Sequence, residues 1–128
     1  MSKIELSEIT DDNIFVAIFT GELKRQAIIE FIDMMNGYED KHPGYGLLCD
    51  LINVAKVSVD FEDLKAVSAH LKEHDRSTGK TALLIGHNVS RFILAKLYTE
   101  LTNPFRPNRE KAFRNEEAAL AWLRADPA

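Results

Sequence analysis

Apolar and polar residues alternate near the start of the chain, and this period of two is typical of β-strands. The alternation runs from Ile4 to Ile9, and the segment 14–20 is rich in strand-forming residues. The turn-forming sequence Asp11-Asp12-Asn13 separates the two segments. The pattern predicts a β-hairpin whose first strand is an antiparallel edge strand, and Gly21 is predicted to end the second strand.

From there on, apolar residues recur every three or four positions, the period of an amphipathic helix, in four stretches. They predict helices over residues 22–37, 60–76, 89–102 and 118–123. Apolar runs between these stretches predict buried strands of a parallel sheet at residues 45–51, 80–86 and 109–114. Because crossovers between parallel strands are right-handed, few arrangements of these strands and helices are possible. The predicted fold is α/β: one five-stranded, mostly parallel sheet with one antiparallel edge strand and four helices.

Composition fits one globular domain over residues 1–128, with 45% hydrophobic and 28% charged residues. No apolar stretch approaches the roughly 18 residues of a membrane-spanning helix. The first residues lead into a strand pattern and not into a signal peptide. The single cysteine, Cys49, lies in a buried run and has no partner for an internal disulfide. These features predict a cytoplasmic protein without an integral membrane segment.

The charge is uneven along the chain. Residues 1–64 hold 5 Lys/Arg against 13 Asp/Glu, and residues 65–128 hold 11 against 7. The basic residues near the end of the chain are interrupted by Glu110 and lack a dense run of stacking aromatics. We therefore expect no nucleic-acid binding. This uneven charge distribution is consistent either with electrostatic complementarity between subunits or with a charged surface in contact with solvent.

Three strings resemble catalytic or ligand-binding motifs without meeting their requirements. Residues 77–81 resemble a P-loop, but a strand follows where phosphate binding needs a helix N-terminus. His70 and His74 have the spacing of a zinc peptidase helix, but no third ligand is evident. Ser58, Asp60, Asp50 and His87 include the residue types of a hydrolase triad, but no nucleophile elbow is present. We predict no catalytic residue, metal or cofactor.

The closing segment carries a family resemblance. Residues 113–123 read F-x-x-x-x-x-A-x-x-W-L, which resembles the closing signature of the SpoIIAA-like proteins. The preceding elements agree in order: a strand ending at Gly21, a strand ending at Cys49-Asp50-Leu51, a helix with an acidic start at Asp60, and the strand at Ala82-Leu83-Leu84-Ile85. The resemblance covers nearly the whole chain and implies a fold similar to the STAS domain and to the lipid-binding CRAL-TRIO domain.

The STAS resemblance also implies a phosphorylatable serine at the start of the helix after the central strand, where a helix N-terminus would favour phosphate. The corresponding turn is Val57-Ser58-Val59-Asp60-Phe61. Val59, Asp60 or Phe61 stands at the serine position, and the glycine of the motif is absent. Ser58 and Asp60 are therefore regulatory candidates only. Asp60 either imitates a permanent charge or caps the helix.

Ligands of open parallel sheets bind outside the carboxyl ends of the strands. At this rim we expect a ligand whose anionic head group lies beside polar side chains and whose apolar tail lies between two aromatic rings. These ligand-binding candidates are Asp50, Phe61, His87, Asn88, Arg91 and Phe92. The alternative is that Asn88 caps its helix and Arg91 is solvated.

The sequence predicts a non-catalytic binding or regulatory module that holds a lipid-like, amphipathic ligand or a protein partner. The alternatives are a small enzyme with Asp50, His87 and Arg91 in its site, or an anti-sigma-factor-antagonist-like regulator that lacks the phosphorylatable serine. We also expect a homodimer through the helix at 89–102 or the first helix. The buried face of that predicted helix holds Val89, Ile93, Leu94, Leu97, Tyr98 and Leu101. Phe92 lies opposite this face and would be left in water in a monomer.

Overall fold

The computed structural model describes residues 2–125, and its elements follow the predicted order with one additional strand. The strands are β1 (Ser2–Ile9), β2 (Ile14–Lys24), β3 (Gly46–Asp50), β4 (Val54–Ser58), β5 (Thr81–Leu84) and β6 (Glu110–Phe113). The helices are α1 (Arg25–Asn36), α2 (Phe61–His74), α3 (Val89–Thr102) and α4 (Glu116–Arg124). Among these residues, no helix is both long enough and apolar enough to cross a membrane.

The strands form one sheet in the order β1-β2-β3-β5-β6. β1 runs antiparallel to β2 at one edge, and the other neighbouring strands are parallel. This confirms the predicted α/β fold with its antiparallel edge strand and four helices. The strand count differs, because β4 pairs with the second half of β2 while β3 pairs with the first half. The sequence pattern does not predict β4, whose five residues include the exposed Ala55 and Lys56.

The prediction that Gly21 ends the second strand is wrong. β2 continues to Lys24 because residues 21–24 pair with β4. The register of this pair shifts between Gly21 and Glu22, and Gly21 adopts a φ of 80°, a backbone conformation that glycine tolerates without strain. α1 therefore begins at Arg25, three residues later than predicted.

The helices cover the sheet unequally. α4 packs on one face, where Ala119 and Leu123 join a small core cluster with Ile14, Leu48 and Leu84. The main core lies on the other face, which α1, α2 and α3 cover. α2 lies between α1 and α3 and packs against both. This three-helix layer encloses the candidate site.

The prediction for the buried face of α3 is wrong in part. Val89 is 64% exposed and Ile93 55% exposed, whereas Phe92 and Tyr98 pack against the main core. The small side chain of Ala95, which is buried, lets α3 approach the sheet along this side. Phe92 is therefore not left in water, and the argument for a dimer through Phe92 loses its premise.

Candidate ligand-binding cavity

A cavity of about 160 Å³ lies between the sheet and the three-helix layer. From α2, Leu64, Val67 and Leu71 point into it. The opposite wall comes from the central strands, including Leu47, Cys49 and Leu83, and the side walls come from α1 and α3. The middle helix thus faces the sheet across a space that core side chains do not fill.

Most of the cavity wall is apolar, and this determines what the space can hold. Protein interiors normally leave few voids larger than a water molecule. Enclosed apolar cavities of about 150 Å³ stay dry and bind ligands such as benzene. This cavity has a similar volume and is partly open at the surface. A cavity of this size and lining therefore suits a small apolar molecule better than a cluster of waters.

One end of the cavity is polar, and Arg106 is its central residue. The Arg106 side chain is only 2% exposed and forms an ion pair with Asp75. Its Nη1 also donates a hydrogen bond to the Ser77 hydroxyl at 3.2 Å. Glu110 lies on the other side, with its Oε1 3.7 Å from Arg106 Nε. This end lies at the amino-terminal starts of β5 and β6, the edge of the sheet opposite the predicted rim.

Two atoms of this polar end have no hydrogen-bond partner among the described residues. They are Arg106 Nε and Glu110 Oε2, and both are buried. Burial raises the pKa of Glu110 above its ordinary value, while the Arg106 charge and a hydrogen bond from the Thr102 side chain act in the opposite direction. Buried polar groups in native proteins are nearly always paired. An unpaired donor and an unpaired acceptor beside a cavity mark a place where a further polar group can bind.

Other reactive side chains at the cavity are held in their neutral forms. The Tyr45 hydroxyl donates to the Met35 carbonyl at 2.9 Å, and burial raises its pKa to about 12. Burial also raises the pKa of the Tyr98 phenol and of the Cys49 thiol well above their ordinary values. Cys49 therefore behaves as a small core residue and not as a nucleophile.

The other end of the cavity lies near β4, where Arg91 is the one predicted site residue that lines it. Its Nη1 donates to the Val54 carbonyl at 2.7 Å, and its Nη2 donates to the Ala55 carbonyl at 3.4 Å. Arg91 thus fastens α3 to β4. It is half-buried and not simply solvated.

The remaining rim candidates have local roles in the structure. Asn88 caps α3 by accepting from the Arg91 backbone N–H at 3.0 Å. Asp50 accepts from the Ile52 backbone N–H at 3.1 Å, and His87 is exposed. Phe61 is 48% exposed and stands outside the cavity wall, as does Phe92. The structure therefore does not gather the six candidates around one pocket.

The two regulatory candidates have partners of their own. Ser58 lies in β4, and its hydroxyl donates to the Glu22 carboxylate, which lowers the pKa of Glu22. Asp60 accepts from the Asp63 backbone N–H at 2.8 Å, and Asp63 accepts from the Asp60 N–H at 3.0 Å, a reciprocal capping box. A phosphate on Ser58 would lie against the Glu22 carboxylate.

The histidine pair on α2 lies outside the cavity. The rings of His70 and His74 are 4.5 Å apart, and His70 Nε2 lies 2.7 Å from the Asp33 carboxylate on α1. Within residues 2–125, no group of three or more His, Cys, Asp or Glu side chains is arranged to hold a metal ion.

Sequence reasoning misses the polar end of the cavity entirely. Arg106 lies between two prolines in a segment predicted only as a loop, and Glu110 stands at the start of a short strand. Arg106 is buried because Asp75 and Ser77, about thirty residues earlier, fold against it. No local pattern signals such a contact.

Comparison with known proteins shows the fold first and then the family. The chain has the fold of the anti-sigma-factor antagonists. One such protein, from Mycobacterium paratuberculosis, is 16% identical and matches 98% of this chain and 96% of its own, with a TM-score of 0.58. SpoIIAA in its unphosphorylated form is 16% identical over 95% and 96% of the two chains, with a TM-score of 0.54. At these identities the likeness concerns the fold alone.

The family follows from the sequence itself. The SpoIIAA-like family model matches residues 14–124, so the chain belongs to the SpoIIAA-like family. An uncharacterised protein with a SpoIIAA-like fold from Shewanella loihica is 18% identical over 95% of this chain and 93% of its own, with a TM-score of 0.57. No curated protein sequence matches the chain significantly.

Replacing Arg106 by Met tests whether the buried ion pair holds this end of the cavity together. The change leaves the Asp75 carboxylate buried without its partner and should cost about 3–5 kcal/mol of unfolding free energy at pH 7. It also removes the charge that opposes the raised pKa of Glu110. The folded variant should then hold the Glu110 proton more tightly than the unfolded chain does, so its stability should fall as pH rises above about 4.5.

Urea unfolding between pH 4.5 and pH 7 measures both effects. Arg76→Met is the matched control, because Arg76 is exposed and its pair with Asp40 at 3.4 Å is exposed as well, which limits the cost to about 1 kcal/mol or less. Equal losses in the two variants would contradict the assigned role of Arg106.

Proposed function

We propose that this protein is a non-catalytic binding module that holds a small apolar or amphipathic molecule between α2 and the sheet. The observation that carries the proposal is the cavity itself, a mostly apolar space on the face that α1, α2 and α3 cover. In the core cluster under α4, by contrast, Ile14, Leu48 and Leu84 are each 1% exposed. A void of this kind costs stability in proportion to its volume, by roughly 24 cal/mol per Å³. A ligand that enters it recovers the lost contacts.

The size of the cavity narrows the ligand class. The sequence predicts a lipid-like molecule, but about 160 Å³ is below the roughly 300–1,000 Å³ of pockets that bury drug-sized ligands. We therefore propose a ligand with a compact apolar body, such as one ring or a short branched chain. Binding of an anionic head group at the rim near His87 and Arg91 remains a separate prediction, and the carbonyl contacts of Arg91 do not favour it.

Filling the cavity from α3 should abolish ligand binding. Ala95 is buried and lines the cavity, so an Ala95→Leu side chain would occupy space that a ligand needs. With toluene as the probe, titration followed by ¹H–¹⁵N NMR should show saturable shifts at cavity residues of the wild-type protein. The variant should bind toluene at least about tenfold more weakly, since a leucine adds about three methylene-sized groups to the wall.

Ala118→Leu is the matched control, because Ala118 is exposed on α4 across the sheet from the cavity. It should bind toluene like the wild type. The proposal would be overturned if toluene produced no saturable shifts, or if both variants bound it equally well.

A protein partner is the second candidate function. Ile52, Phe61 and Val89 follow the carboxyl ends of β3, β4 and β5, and Ile93 lies one turn along α3. All four side chains are between 46% and 64% exposed. Since these strands run parallel, the residues meet at one edge of the sheet, where exposed apolar groups favour docking of a protein. The anti-sigma-factor antagonists that share this fold are named for action on a protein, which supports the same reading.

The expected homodimer would use this apolar edge and not Phe92. A Val89→Glu, Ile93→Glu double variant should then be monomeric by multi-angle light scattering, while Lys96→Glu on the exposed side of the same helix should stay dimeric. A wild-type protein that is already monomeric would exclude self-association and leave a different protein as the occupant of this edge.

A further inference from the structure

We infer that the polar end of the cavity selects a ligand with a hydroxyl group, which bridges Arg106 Nε and Glu110 Oε2. The inference rests on the proposed function, since it specifies the chemistry of the molecule that the cavity holds. Both residues line the cavity, both side chains are at least nine-tenths buried, and these two atoms lack hydrogen-bond partners. The pair offers one donor and one acceptor.

The spacing of the two atoms suits a single bridging oxygen. Arg106 Nε lies 3.7 Å from Glu110 Oε1, which is too far for a direct hydrogen bond. The two oxygens of a carboxylate are about 2.2 Å apart, so Nε and Oε2 are separated by at most about 6 Å. One hydroxyl oxygen that makes two hydrogen bonds of about 2.9 Å, with an angle of roughly 110° between them, joins atoms about 4.8 Å apart, which lies within that limit. It accepts from the guanidinium N–H and donates its own hydrogen to the carboxylate.

Charge balance disfavours ionic ligands at this end. The Arg106 charge is already paired with Asp75. A ligand carboxylate would accept from Arg106 Nε but would face the Glu110 carboxylate, and like charges at close range in a buried site repel strongly. A ligand ammonium would lie beside the Arg106 guanidinium and offer it no acceptor. A neutral hydroxyl meets both protein groups without adding charge.

The volume and the apolar walls complete the description of the ligand. About 160 Å³ accommodates one six-membered ring, and the walls near the middle of the cavity are leucine, valine and alanine side chains. Tyr98 also lines the cavity and packs against the main core, so an aromatic ring adds to its apolar wall. The ligand class is therefore a compact phenol or alcohol.

Phenol and toluene are the matched probes, because each has seven non-hydrogen atoms and only phenol carries a hydroxyl group. The measured quantity is the ratio of their dissociation constants in the wild type and in Glu110→Met, which keeps the side-chain length and removes the acceptor. The preference for phenol over toluene should fall by at least about tenfold in the variant, as expected for loss of a hydrogen bond to a charged group. Glu110→Gln, which keeps an acceptor oxygen, should fall between the two.

NMR of the Arg106 Nε–H in the wild type gives a second readout that needs no variant. Phenol should shift this proton resonance downfield at saturation, as a new hydrogen bond does, whereas toluene should produce only a ring-current shift without that downfield change. If both probes bind and their ratio is the same in wild type and Glu110→Met, water alone satisfies the pair; this overturns the inference and leaves the proposed function intact. If neither probe binds the wild type, both the inference and the proposed function fail.

Discussion

The Arg106 guanidinium contacts three segments of the chain that are distant in sequence. It pairs with Asp75 after α2, contacts Ser77 in the connection to β5, and lies beside Glu110 at the start of β6. Arg109 reinforces the same connection by donating to the Gly79 carbonyl at 3.1 Å. Breaking a buried ion pair leaves an uncompensated buried charge and costs about 3–5 kcal/mol, so this contact resists separation of the three segments. It holds the end of α2 against the starts of β5 and β6, at the polar end of the cavity.

Side chains pack differently on the two faces of the sheet. Under α4, side chains such as Ile14, Leu48 and Leu84 fill the space and are almost completely buried. Under α2, the main core cluster is formed by side chains of α1, α3 and the strands, while the buried Leu64, Val67 and Leu71 line the cavity. Filled cores are more stable than cavities. Here one face of the sheet is tightly packed, and the other holds a cavity with an unpaired donor and acceptor at one end. This difference is consistent with a protein that binds a molecule in the cavity.

Sequence predictions that depend on neighbouring residues are accurate, whereas those that depend on contacts between distant residues are not. The alternation of the hairpin and the helical periods depend on neighbours in the chain, and they predict the fold well. β4 exists only because the second half of β2 offers an unpaired edge, so its own five residues give no signal. The orientation of α3 depends on packing against α2 and β6, which turned Phe92 inward and Ile93 outward. The predicted ligand site at the carboxyl ends of the strands came from a general rule for parallel sheets. The polar end of the cavity lies at the opposite edge of the sheet, where residues 75 and 106 form an ion pair that no local pattern predicts.

The most direct measurement of the central claim is methyl NMR of the wild-type protein under xenon pressure. Xenon enters dry apolar cavities without needing any specific chemistry. The account predicts saturable shifts at the methyl groups of Leu64, Val67, Leu71 and Leu83, which line the cavity, and unchanged resonances at Leu48 and Leu123 on the filled face. Absence of saturable shifts at the cavity methyls, or equal shifts on both faces of the sheet, would contradict it.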